Sequence, residues 1–197
     1  MATLRELLGV PEPDMQRIER HLDELTDSER VREIRSLGRS HQARLFDAAE
    51  GHRAVSLSDI VDANQPPMEE VVHHGKNSLP AFSHFAKVFV RPPEPDEPEL
   101  WGYNRAGGFI DTVVGPGYFV SYPYGEQEVL VDYLRVPPEH PPHWPDILPN
   151  SARLSRVVYN GTQDILRGVS EHVTIGRATK DGKPMSAWFT LCREDPE

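Results

Sequence analysis

Apolar residues recur every three or four positions through the first third of this 197-residue chain, and every second position through much of the rest. Thr3 and Glu6 have the spacing of a capping box ahead of Leu7 and Leu8, with a stop at Gly9 and Pro11. A second helix is expected from Pro13-Asp14, placing Met15, Ile18, Leu22 and Leu25 on one face. Thr26 and Glu29 open a third, which carries Val31, Ile34 and Leu37 and is expected to end on Gly38. Ser40 is expected to cap a fourth through Leu45, Phe46 and Ala49, closing at Gly51, and Ser56 to Ile60 reads as one more turn. Helices this short, below the ~12–15 residues at which isolated helices become marginal in water, need a surface to lean on. The stripes are therefore expected to pack on the chain's own sheet. The alternative is a helical surface that docks a partner.

From Phe82 onward the period is two. Ser83 to Val90 reads as a strand ending at Arg91-Pro92-Pro93. Pro92 to Pro98 is an exposed loop, Leu100 to Tyr103 a strand, and Asn104 to Gly108 a turn. Phe109 to Val114 leads into Gly115-Pro116-Gly117, from which Tyr118 to Tyr122 returns. Gly125 to Gln127 turns into a strand from Val129 to Val136, and Pro137 to Pro149 is a second proline-rich loop. Leu154 to Tyr159, Ile165 to Arg167, Val173 to Gly176 and Ala187 to Cys192 are further strands, with a hairpin turn at Asp181-Gly182. The polar stretch His73-His74-Gly75-Lys76-Asn77-Ser78 reads as a solvated loop that could line a barrel mouth.

Short connections with no intervening helices mean antiparallel neighbours, not a parallel α/β sheet. The expected fold class is α+β: N-terminal helices over residues 1–62, packed on a strongly curved antiparallel sheet or barrel over residues 63–197, the whole forming one compact unit. The order of strands and the small size resemble calycin-type barrels such as lipocalins and fatty-acid-binding proteins at the level of architecture. The lipocalin Gly-x-Trp signature and the Arg-x-Tyr carboxylate clamp of fatty-acid-binding proteins are both absent.

The charge balance of 21 basic against 31 acidic residues, net −10, argues against nucleic acid and anionic lipid as partners. The single cysteine, Cys192, cannot form an internal disulfide. No signal-like start is visible, and no apolar run approaches the ~18 residues of a membrane span. A cytoplasmic location is the expectation, with a homo-oligomer left open.

Candidate chemistry rests on polar residues set in apolar strands. Asp111 lies between Ile110 and Thr112, and Asp132 between Val131 and Tyr133. Asp132 shares a face with Leu130 and Leu134, while Val129, Val131 and Tyr133 make the other face equally apolar, so alternation does not decide which is inside. The plainer reading of Asp132 is an exposed or paired carboxylate. Arg177, with His172 nearby, could clamp a ligand carboxylate from a lumen, or be surface charge. His73-His74 and His140/His143 lack the spacing that puts two imidazoles on one metal, so no metal and no cofactor is expected. Aromatic residues, among them Trp101, Tyr103, Phe109, Tyr118, Phe119, Tyr122, Tyr133, Tyr159, Trp188 and Phe189, are spread over most expected strands. They could line a cavity or simply fill a core.

Three functions follow. The first is non-catalytic binding of a small hydrophobic or amphipathic molecule in the barrel, using Tyr103, Asp111, Tyr118, Tyr133, Arg177 and Trp188. The second is a small cofactor-independent enzyme of cyclase, dehydratase or isomerase type, with His172 and Asp132 as acid and base. The third is an interaction module docking through its helices.

Overall fold

The computed structural model describes residues 2–79, 83–105, 116–147 and 161–195. Within them the chain forms short helices α1 (Leu4–Leu8), α2 (Met15–Asp23), α3 (Asp27–Arg35), α4 (Arg39–Ala48) and α5 (Leu57–Ile60). Strands follow: β1 (Val71–Asn77), β2 (His84–Val90), β3 (Leu100–Arg105), β4 (Tyr118–Tyr124), β5 (Glu128–Asp132), β6 (Thr162–Gly168), β7 (Val173–Lys180) and β8 (Lys183–Arg193).

Each strand pairs antiparallel with the next, and β1 returns to β8, giving a closed up-and-down barrel with N-terminal helices before it. The expected α+β, calycin-like architecture is what forms. Closure removes the sheet edges that an open antiparallel sheet would leave unpaired. The Asp-Gly hairpin between β7 and β8 turns through two left-handed residues, Asp181 at φ 50° and Gly182 at φ 72°, as a type I′ turn requires.

The capping boxes expected at Thr3/Glu6 and Thr26/Glu29 form, and the turn expected from Ser56 is a short helix opened by a third box, Ser56/Asp59. The third and fourth helices meet differently from the expectation. Ser36 ends α3, and Gly38, with extended backbone at φ −83°, is the N-cap of α4, so Ser40 lies inside that helix. Leu25 falls beyond the end of α2.

Two strand assignments are corrected. His73 to Asn77, read as a solvated loop, belongs to β1, and His73 is buried. Its polarity misled because the ladder to β2 and β8 supplies the backbone partners, and the Ile60 carbonyl meets the imidazole Nε2 at 2.9 Å. Asn104, read as the start of a turn, is inside β3 and 5% exposed. β5 is shorter than expected, ending at Asp132. The strands expected over Phe109 to Val114 and Leu154 to Tyr159 lie outside the described residues.

Three apolar clusters organise the molecule. The stripes of α1 to α4 (Leu4, Leu8, Ile18, Leu22, Ile34, Leu37, Leu45, all 0% exposed) pack on the outer face of β7 and β8 around Val173, Ile175 and Cys192. α3 and α4 reach across the β1–β8 junction, where Gln42 Nε2 donates to the Lys76 carbonyl at 3.2 Å. On another outer face, Trp144 from the proline-rich loop covers Tyr103 and Tyr118, with Val88, Val90, Trp101 and Val120 around them. The third cluster is the lumen, whose floor is made by the chain around α5. There Val55, Ile60 and Val61 meet Phe89, Leu100, Val129, Leu166 and Leu191.

Candidate binding site in the barrel lumen

Side chains alternate between the two faces of a strand, and directly paired residues share a face. The register therefore carries one inward row around the barrel: Phe85/Lys87/Phe89, Gly102/Asn104, Phe119/Ser121, Val131/Tyr133, Asp164/Leu166, Gly176, Phe189/Leu191 and His73/Gly75.

Four polar side chains, from β2, β3, β6 and the residue after β5, converge above the apolar floor. Lys87 (β2) is 1% exposed, Asn104 (β3) 5%, Tyr133 (just past β5) 5% and Asp164 (β6) 5%. Lys87 Nζ donates to Asn104 Oδ1 at 3.0 Å and to the Tyr133 hydroxyl, and stands 3.3 Å from Asp164 Oδ2. Three ammonium protons thus meet three acceptors. The Tyr133 hydroxyl lies 3.2 Å from Asp164 Oδ2 and also accepts from Asn104 Nδ2 at 3.0 Å. Asn104 Nδ2 is within 3.3 Å of the Gly117 carbonyl as well.

Aromatic rings surround this cluster. Lys87 Nζ is 4.8 Å from the centre of Phe119, 4.9 Å from Tyr133, 5.1 Å from Phe189 and 5.9 Å from Phe85. At these separations each ring face attracts an ammonium. Glycines on the facing strands let the rings lie flat against the wall. A Cβ on Gly75 would stand 2.6 Å from Phe85, one on Gly102 2.5 Å from Phe119, and one on Gly176 2.2 Å from Phe189.

Loss of water dominates the protonation of the pair. Burial pulls Lys87 below its ordinary value although Asp164 opposes it, and burial raises Asp164 although Lys87 and Tyr133 oppose it. Both directions draw the pair toward the neutral amine and the neutral carboxylic acid. His73, in the floor, is pushed down to about 3, chiefly by burial, and stays neutral.

Of the residues singled out from sequence, Tyr133 is in this cluster. Asp111 lies outside the described residues. Tyr103 and Tyr118 face outward beneath Trp144, with ring centres 4.6 and 6.1 Å from it. Arg177 and Trp188 come together, the guanidinium 5.3 Å from the ring, but on the outer face of β7 and β8. Asp132 points outward; it accepts from the Tyr122 hydroxyl and from the Leu134 amide, each at 2.9 Å, and Tyr122 is pushed up to about 12 by burial first and by this contact second. His172 lies in the β6–β7 turn with Nδ1 3.1 Å from Asp195. Asp132 pairs with Gln163 at the far end of β6 from that turn, so the structure does not bring His172 and Asp132 together.

Sequence reasoning passed over Lys87, Asn104 and Asp164. A signal for Lys87 was present: it sits in a strand with Phe85 and Phe89 on its own face and Ala86, Val88 and Val90 on the other, so neither face offered it water.

Outside the barrel, a groove of about 690 Å³ is lined by Gly51, Arg53, Tyr124, Glu128 and Arg167 among others. Its cations are already engaged: Arg167 Nε bonds Glu128 at 2.7 Å and stacks 4.1 Å over Phe46, and Arg53 bonds Glu19 at 3.0 Å. Among the described residues no cluster of His, Cys, Asp and Glu could hold a metal ion, and no helix is long and apolar enough to cross a membrane. Burial pushes the Cys192 thiol up to about 12, which keeps it an unreactive packing group.

Fold and site together define the chain as a closed eight-stranded barrel whose lumen holds aromatic rings around a buried Lys87–Asp164 pair. In comparisons with protein-family models, curated proteins and solved structures, nothing matches it.

Proposed function

We propose that the barrel binds one small amphipathic molecule in its lumen, the polar end on Lys87, Asn104, Tyr133 and Asp164 and the apolar body among Phe85, Phe119 and Phe189. The observation that carries this is the fully buried Lys87–Asp164 pair inside an aromatic ring set. Apolar side chains of similar volume would close a barrel core as well or better, since desolvating two charges offsets much of their attraction. Retaining four polar side chains there supplies directional groups that a ligand can use. The helical stripes are spent on the barrel itself, which leaves the docking-module reading without its apolar face.

The test is fluorescence titration of the full chain with 1-anilinonaphthalene-8-sulfonate. The expected result is saturable binding at one site, weakened roughly tenfold, or 1.4 kcal/mol, in the Lys87→Met/Asp164→Leu double variant. Absence of saturable binding, or equal affinity in the double variant, would overturn the reading.

A further inference from the structure

The lumen cluster has a reactive element that simple binding does not need. Lys87 Nζ is held on a strand by three acceptors, and one of them, Asp164, is a carboxylate 3.3 Å away that can take a proton. The Tyr133 hydroxyl touches both Nζ and Asp164 Oδ2, so it bridges amine and carboxylate. The rings of Phe85, Phe119, Tyr133 and Phe189 surround Nζ, and aromatic side chains pack well against a conjugated body. We infer that Lys87 is a Schiff-base nucleophile whose Nζ condenses with the carbonyl carbon of an apolar, conjugated aldehyde, with Asp164 as proton carrier and counter-ion. This rests on the lumen-binding reading above and names its ligand class.

The chemistry balances within the cluster. The ammonium of Lys87 passes a proton to Asp164, leaving a free amine and a carboxylic acid. The amine lone pair forms a C–N bond to the carbonyl carbon as the C=O π pair moves to oxygen, and a proton shifts from nitrogen to that oxygen to give a carbinolamine. Asp164 then protonates the hydroxyl, water leaves, and the nitrogen lone pair closes the C=N bond. Amine and aldehyde become iminium and water, and the iminium cation faces the Asp164 carboxylate. Burial, which favours the neutral pair, favours the first step.

The chain carries four lysines, Lys76, Lys87, Lys180 and Lys183, and Lys180 and Lys183 are exposed. Peptide mapping therefore distinguishes an adduct on Lys87 from one on any of the other three lysines. The full chain is incubated with trans-cinnamaldehyde at pH 7, reduced with sodium borohydride, and examined by intact mass and peptide mapping. The expected result is one reduced adduct per chain, on Lys87, lost in the Lys87→Met/Asp164→Leu variant, whose fold is checked by circular dichroism. An adduct on other lysines, or one that persists in the double variant, overturns the inference. Displacement of 1-anilinonaphthalene-8-sulfonate by cinnamyl alcohol, without a Lys87 adduct from the aldehyde, overturns the covalent step and leaves lumen binding standing. If neither the alcohol nor the dye binds and no adduct forms, both readings fall.

Discussion

The two halves of the lumen solve the same packing problem with opposite chemistry. In the floor, Phe89, Val129, Val131, Leu166 and Leu191 are 0 to 1% exposed and meet Ile60 and Val61 from the N-terminal segment. Its inward-facing histidine, His73, has its ring partner in the Ile60 carbonyl and packs edge-on against Phe89 at 4.9 Å. One level up, the same strands turn inward a lysine, an asparagine, a tyrosine and an aspartate. Apolar burial gains roughly 25 cal/mol per Å², so the floor stabilises closure directly, whereas in the upper level desolvation offsets much of the polar attraction. The contrast separates a half that holds the barrel together from a half whose composition closure does not require.

The largest break in that contrast is removal of one charge. Asp164→Ala leaves Lys87 buried without its ion-pair partner and should destabilise the chain by about 3–5 kcal/mol in urea unfolding. The double change Lys87→Met/Asp164→Leu should recover most of that loss; if it does not, the upper level is structural and the contrast fails. Next in size is the wall. Gly102→Ala would set a methyl 2.5 Å from both the Phe119 ring and the Val88 carbonyl, and the overpacking should cost about 1–3 kcal/mol, read as a lower urea midpoint.

The smallest effect sharpens the picture of the floor through pH. His73 has a folded value of about 3 against an ordinary 6.5. Between those values the unfolded chain binds a proton at this site and the folded chain does not. Stability is therefore retained above about 6.5 and falls as pH drops toward 3, by about 1.4 kcal/mol per pH unit from this group. His73→Gln, which keeps a donor for the Ile60 carbonyl, should flatten the stability–pH slope between pH 4 and 6 by about that amount, whatever its own stability at pH 7.

Much of this architecture could be read from the residues. Two capping boxes, at Thr3/Glu6 and Thr26/Glu29, and the Asp-Gly hairpin follow from local backbone chemistry, and these local rules survive folding. The errors lie where tertiary partners override local pattern. His73 and Asn104 look like loop residues because isolated strands rarely carry them, yet the barrel supplies the Ile60 carbonyl to one and Lys87 and Tyr133 to the other. On β5 both faces are apolar, one for the lumen and one for outer layers, so alternation could not orient Asp132. The aromatic residues divided for the same reason. Phe119, Tyr133 and Phe189 went inside, and Trp101, Tyr103 and Tyr118 went beneath a loop. The site needed a partner search across strands: Lys87 and Asp164 are 77 positions apart, and nothing in either segment names the other.

The junction between the first and last strands is the one place where the barrel joins distant parts of the chain. His73 pairs with Arg193, and closing a free loop of that length costs roughly 4 kcal/mol of chain entropy. Every other pairing joins consecutive strands, so this junction has the widest sequence separation of any in the barrel and carries the largest loop-closure cost. The α3–α4 layer straddles that junction, with Gln42 Nε2 bonded to the Lys76 carbonyl, so residues far ahead of both strands in the chain act as a splint across their seam.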